Sequence, residues 1–234
     1  MCPHQHTFDR AREGYVNLLV SGRKSSGSTS GDTPDSLAAR RRFLHGGWYQ
    51  PISDALTDAL GTIDGSVLDV GCGEGYYLSR VSSSQRCGLD ISKRAVQMTS
   101  KIIPDGEFVV ASAYRLPVVS QSCGAVFSVF SPYSLDEFRR VLQPHGKWVT
   151  VSPGPHHLKE MRPKRDEKVE EREQRRTGAP DGSTTAQRLT FELELTDEAA
   201  IDLYSMAPLR WQSSSQEAVQ TVRHVTVDVW IAMS

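Results

Sequence analysis

Three groups of residues in this 234-residue chain have types and spacings suited to chemistry. The first is the run Val67-Leu-Asp-Val-Gly-Cys-Gly-Glu-Gly-Tyr-Tyr77, where a short apolar segment ends in glycines at 71, 73 and 75. Glycine there leaves no Cβ to block a ligand's approach to the backbone, and it accepts positive φ. The spacing is G-x-G-x-G, not the G-x-G-x-x-G dinucleotide fingerprint, and Asp69 stands two residues before the first glycine. A carboxylate beside the turn repels a pyrophosphate but suits the cationic, amino-acid-bearing ligand S-adenosylmethionine. Asp90 closes the next apolar run, Cys87-Gly-Leu-Asp-Ile91, where a carboxylate grips ribose hydroxyls. Ser112 ends the run after that, where a polar group meets adenine. The second group, Tyr133 and His156-His157, follows later apolar runs. The third is Cys2 with His6, two suitable zinc ligands where a tetrahedral structural site needs four.

The elements that must position these residues alternate between strand and helix. Apolar runs at 67–70, 87–91, 107–112, 125–130 and 146–153 predict parallel strands, and the glycine turn is expected to lead into a helix. Ser92 is the expected cap of a helix over 93–101, and a further helix spans 134–142. Ahead of the turn, a helix capped by Asp35 or Ser36 carries Arg40-Arg-Arg42, a triplet able to meet RNA phosphates or simply to face solvent. Another helix runs from Ile52 to Leu60. Mixed charge over 159–188 predicts an exposed helix, while 189–195 and 225–231 alternate strictly and predict an antiparallel edge. In an open α/β sheet ligands sit beyond the carboxyl ends of the strands, which places Tyr133, His156 and His157 on the functional edge.

Composition narrows the classes. The 27 Lys and Arg nearly balance the 28 Asp and Glu, so a generic polyanion binder is unsupported and any nucleic-acid contact must come from a local patch. No run is apolar for long enough to span a bilayer and the polar start is no signal peptide, so a cytoplasmic protein without a membrane partner is expected. The four cysteines have no disulfide-framework spacing. Residues 20–36 are nearly free of apolar side chains and read as a linker, dividing an N-terminal unit, 1–19, from the main domain, 37–234.

Taken together, C-P-x-x-H-x-F-D, E-G-Y-V-N-L-L, A-R-R-x-F-L, G-x-Y-Q-P, V-L-D-V-G-C-G-E-G-Y-Y, G-L-D-I-S-K and P-G-P-x-H-L resemble the bacterial 23S ribosomal RNA guanine-N1 methyltransferases, including macrolide-resistance members. The resemblance runs nearly unbroken from Cys2 to the fifth strand and is loose beyond about residue 160. It implies a Rossmann-like class I S-adenosylmethionine-dependent methyltransferase with a mostly parallel, seven-stranded sheet. It also implies an N-terminal zinc-ribbon-like module in which Cys2 and His6 match the last two of four ligands. The first cysteine pair is absent, so the module is expected to be truncated or degenerate and to take zinc only if upstream ligands are supplied. By resemblance the S-adenosylmethionine contacts are Tyr49, Gly73, Glu74 and His157; Asp69, Gly71, Asp90 and Ser112 come from the reading of the residues themselves. The implied reaction methylates N1 of a guanine in a hairpin loop of 23S ribosomal RNA. His156, His157 or a held water are candidates to take the N1 proton, and Phe130 and Tyr133 offer stacking surfaces. The alternatives are a small-molecule methyltransferase and a non-catalytic S-adenosylmethionine- or RNA-binding protein, with a homodimer left open.

Overall fold

A computed structural model describes residues 7–19, 33–162, 183–207 and 222–234, which form two compact units. The first comprises the described residues of 1–31 and 62–146. Its strands β1 (Val16–Asn17), β2 (Ser66–Val70), β3 (Gln85–Asp90), β4 (Glu107–Val110) and β5 (Cys123–Val129) pair in parallel in the order β1-β4-β3-β2-β5. The central strands are nearly continuous apolar runs because helices cover a parallel sheet, and Val67, Leu89, Val110 and Phe127 are all buried. Ser92 caps α3 (Lys93–Ile102), its hydroxyl accepting from the Ala95 N–H at 3.3 Å. Ser134 does the same for α4 (Leu135–Val141), which buries Phe138 and Val141.

The two-residue β1 was not among the strands expected, and it raises the number described from seven to eight. It belongs to E-G-Y-V-N-L-L, which forms a strap along the β4 edge. Ala11 and Tyr15 close a turn through Gly14, and Tyr15 is buried. Arg10 pairs with Glu107, Gln97 donates to Glu13 at 2.8 Å, and the Leu18 N–H donates to the Val110 carbonyl at 3.0 Å. A strand this short has no legible periodicity of its own.

The second unit comprises the described residues of 32–61 and 147–234. It contains α1 (Pro34–His45), α2 (Gln50–Leu60), the distal part of β6 (Leu142–Pro153), β7 (Thr185–Glu194), α5 (Asp197–Met206) and β8 (His224–Met233). β8 lies between β6 and β7 and is antiparallel to both, as the terminal alternation predicts. α1 packs on α5, where the Arg42 guanidinium grips the Asp202 carboxylate with Nε at 3.0 Å from Oδ2. One arginine of the basic triplet is therefore committed to a helix–helix contact.

Three expectations need correction. No α-helix follows the glycine turn, only a 3₁₀ turn at Leu78–Arg80, because three positive-φ glycines consume the segment before Val81. The cap of α1 is Thr33, whose hydroxyl accepts from Ser36 N–H, with Pro34 at the first helical position. Cys2, His6 and residues 163–182 of the expected helix over 159–188 lie outside the described residues; at its described ends Lys159–Met161 form a 3₁₀ turn and residues 185–188 open β7, a correction to that expectation.

Candidate active site

In the first unit the site is assembled at the carboxyl ends of β2, β3 and β5. The N–H groups of Gly71 and Cys72 both donate to the Leu89 carbonyl, at 2.8 and 2.9 Å, which folds the turn back across β3. Gly71, Gly73 and Gly75 have φ of 84°, 54° and 90°. A Cβ on Gly71 would stand 1.9 Å from Ser131 Oγ, so the Ser131-Pro-Tyr133 loop rests directly on the turn. Ser131 carries no motif signal, and only the fold reveals it. The Asp90 carboxylate accepts from Gly73 N–H at 3.0 Å and Ser92 N–H at 2.8 Å. A carboxylate has roughly four acceptor sites, so these bonds orient it without exhausting it. The Asp90 carbonyl accepts from Ala111 N–H at 3.1 Å, which sets Ser112 one residue away; the Ser112 hydroxyl accepts from Tyr114 N–H.

Burial, and then the neighbouring charge of Asp90, raise the Asp69 carboxyl well above the usual carboxylate range. Of the two acids marked in the sequence, Asp90 is the one whose carboxylate is bonded to the turn, through the Gly73 N–H. Glu74 follows within the turn and is buried. Tyr133 stacks on the buried Phe138 at 5.3 Å between ring centroids and 25° between planes. Phe130 follows β5 directly, with φ of 51°, a conformation costly for an aromatic residue, and keeps 38% of its surface exposed.

The second unit brings Tyr49 and His157 together, with ring centroids 6.3 Å apart. Tyr49 is buried and meets Phe43 edge-on at 5.0 Å; burial raises its phenol, which stays protonated. The burial of its imidazole, and then Arg162, pull His157 down to about 4, so the ring is neutral near pH 7. His156 exposes its side chain, while its backbone N–H donates to Asp228 Oδ2 at 2.8 Å. The described residues contain no cluster of three or more side chains able to hold a metal ion.

Comparison with known proteins bears on the family and the fold. A family model described as a methyltransferase domain matches residues 67–146, and one described as the N-terminal part of RlmA matches residues 1–27. The 23S rRNA (guanine(748)-N(1))-methyltransferase of Streptomyces fradiae is 31% identical over 94% of this chain and 83% of its own length. A Micromonospora griseorubida protein, for which 23S rRNA guanine-N1 methylation has been put forward, is 32% identical over 91% of this chain and 80% of its own. The chain belongs to the 23S rRNA (guanine-N1)-methyltransferase family. The class I methyltransferase fold is seen again in a chain of the complex between the Haloferax volcanii Trm112 methyltransferase activator and a candidate methyltransferase. That chain is 20% identical with a TM-score of 0.52, over 85% of this chain and 94% of that one.

The residues that hold P-G-P-x-H-L lie far along the chain and carry no motif of their own. Asp228 lies in Val225-Thr-Val-Asp-Val-Trp-Ile231, where alternation assigns it to a half-exposed face. It is fully buried, because Gly154, His156 N–H and Arg188 close over its carboxylate. The available signal was an acid directly between two valines, Val227 and Val229, in an apolar run otherwise free of acids.

Proposed function

We propose that this chain transfers the methyl group of S-adenosylmethionine to N1 of one guanine in a hairpin loop of 23S ribosomal RNA. The observation that carries the reading is similarity over four fifths or more of the length of relatives named for that reaction, combined with an acceptor-side loop seated on the glycine turn. The residues fit the cofactor. Asp90, at the carboxyl end of β3, is held by the N–H of Gly73 in the turn and that of Ser92 in a pose suited to ribose hydroxyls. The cofactor contacts we assign are Tyr49, Asp69, Gly71, Gly73, Glu74, Asp90, Ser112 and His157. S-adenosylmethionine supplies an electrophilic methyl group.

The protein's own part is positioning. Attack by a ring nitrogen requires a near-attack geometry, and a loop guanine reaches it once it leaves its stack. Tyr133, braced from behind by Phe138, and Phe130, aimed by its left-handed backbone, are the stacking surfaces assigned to that base. Guanine N1 carries a proton at neutral pH, and His156 or a held water is the acceptor in this reading. Residues 1–19 are assigned to RNA presentation, 20–36 to linkage and 37–234 to transfer. Cys2 and His6 are the side chains that would contribute two of the four donors that structural zinc takes. Among the described residues no helix is long and apolar enough to cross a membrane, and a cytoplasmic site of action follows from the ribosomal substrate. A homodimer is a further proposal, open to sedimentation analysis.

The test is methyl transfer from labelled cofactor to 23S RNA lacking the modification, followed by mapping of reverse-transcriptase stops. One stop at a single guanine supports the reading. Transfer independent of RNA indicates a small-molecule enzyme, and cofactor binding with no RNA product indicates a binding protein. Tyr133→Ala should lower RNA methylation by about tenfold or more at unchanged cofactor affinity, since aromatic stacking contributes about 1–3 kcal/mol per base.

A further inference from the structure

The segment Gly154-Pro-His-His-Leu158 is held from one side by Arg162, which donates to the Pro155 carbonyl at 3.3 Å and the His157 carbonyl at 2.6 Å, and from the other by Asp228. The Gly154 N–H donates to the Asp228 carbonyl at 2.7 Å, the His156 N–H to Asp228 Oδ2 at 2.8 Å, and the Asp228 N–H to His157 Nδ1 at 3.3 Å. The grip comes from three different groups of the same residue: its carbonyl, its carboxylate and its amide. The carboxylate has no exposed surface and is itself fixed by Arg188, with Nε at 2.7 Å from Oδ1 and a terminal nitrogen at 2.8 Å from Oδ2, and by the Thr190 hydroxyl at 3.2 Å. Gly154 packs flat against it, since a Cβ there would stand 2.6 Å from Asp228 Cγ. The far end of the segment is tied separately, by the Leu158 N–H to the Thr226 carbonyl at 2.7 Å.

This arrangement dictates the chemistry of His157. A neutral imidazole has one N–H and one lone-pair nitrogen, and the hydrogen bond at one nitrogen decides where the proton sits. Nδ1 faces a backbone N–H, so Nδ1 is the acceptor and Nε2 carries the hydrogen. A second proton on Nδ1 would confront the Asp228 N–H with another N–H. Neither ring nitrogen is then left to receive one. We propose that Asp228 is a positioning residue that locks His157 as the Nε2–H tautomer, so that His157 serves the cofactor site as a fixed hydrogen-bond donor and takes no proton during methyl transfer. The proposal rests on the reading that Gly154–Leu158 borders the cofactor, and it removes His157 from the candidates for the base. Sequence pattern alone had left His156 and His157 equivalent in that role. The groups acting on the His157 ring agree with a neutral donor: burial and Arg162 oppose its protonation, and Asp228 offsets them only in part.

The experiment uses the full chain with histidine labelled by nitrogen-15, observed between pH 6 and 8 with and without S-adenosylhomocysteine. The His157 signals should be those of a pyridine-like Nδ1 and a pyrrole-like Nε2, unchanged over this range, and should move when S-adenosylhomocysteine is added. Two variants then loosen the lock. Asp228→Asn weakens the carboxylate's hold. Gly154→Ala pushes the segment off the carboxylate and leaves the Arg188 pair in place, so it stays informative if the first variant folds poorly. Each should average the two tautomer signals and raise KM for S-adenosylmethionine by about tenfold, the consequence of losing charge-assisted hydrogen bonds, with a smaller change in kcat. A wild-type Nδ1–H tautomer, or a kcat acid limb that coincides with the His157 titration, overturns the proposal while the cofactor reading stands. If S-adenosylhomocysteine binds but leaves His157 unmoved, and KM in Gly154→Ala matches wild type, then the segment does not border the cofactor and both fall.

Discussion

Replacing Gly71 with alanine separates a backbone cost from a contact cost. At φ of 84° an alanine carries the left-handed penalty of an L-residue, about 1–2 kcal/mol. Its Cβ also falls 1.9 Å from Ser131 Oγ and 2.3 Å from Ser131 Cβ, and displacing that loop costs about 1–3 kcal/mol more, as for other overpacked sites. Gly14 is an internal control. Its φ is 93°, yet an added Cβ meets nothing within 4 Å, so Gly14→Ala carries only the first cost, about 1–2 kcal/mol. Ser131→Gly removes the obstacle and leaves the Ser131 Cα at 3.8 Å, an ordinary contact. Urea denaturation should therefore show a loss of about 2–5 kcal/mol for Gly71→Ala and about 1–2 for Gly14→Ala. The Gly71→Ala/Ser131→Gly double variant should regain the difference as a coupling energy in a double-mutant cycle. Cofactor affinity, measured by calorimetry, should fall in Gly71→Ala and recover in part in the double variant. Equal losses at Gly71 and Gly14, or a cycle without coupling, would refute the claim that the acceptor-side loop rests on the turn.

Asp90→Ala should raise the dissociation constant for S-adenosylmethionine at least about tenfold in a calorimetric titration, since it removes a charged acceptor and strands the N–H groups of Gly73 and Ser92; an unchanged constant would remove Asp90 from the site. The hydrogen bond from Arg140, aided by the Leu116 N–H, holds Glu137 at about 2. A carboxylate depressed on folding contributes stability above its unfolded value, about 4.3, and that contribution is lost as pH falls toward the folded value. Unfolding midpoints measured from pH 5 to 2 should accordingly fall more steeply in wild type than in Glu137→Gln, and parallel curves would mean the pair is inert. Atomic emission analysis of the dialysed 234-residue chain should find well under one zinc per molecule, because Cys2 and His6 supply half of a tetrahedral set; stoichiometric metal would show that other side chains complete it.

Much of this was legible from residue order because the signals were local. The β2 run and its glycines announce a turn whatever lies around them, and Ser92, Ser134 and Thr196 cap their helices from the adjacent position. The site's less visible half depends on long-range pairing. Nothing near Asp228 marks it as the anchor of a segment some seventy residues earlier, because that role follows from β8 lying beside β6. The triplet Arg40-Arg-Arg42 shows the opposite error. Three adjacent charges look alike in sequence, yet Arg42 meets Asp202 across a helix interface, while helical rotation points its neighbours in other directions. The missing helix after Gly75 has the same origin in geometry, since three left-handed residues end the turn with too little chain left before Val81.

The strap along β4 also sets an order of events during synthesis. Val16 pairs with Val109, so the outermost strand leaves the ribosome about 90 residues before the edge it covers. At about 5–20 residues per second, β1 waits roughly 5–20 seconds for its partner. When β4 emerges, its covering strand is already present on the same chain at high local concentration. An open strand edge is a template for pairing with other chains, and this one is closed by its own N-terminal neighbour almost as soon as it exists.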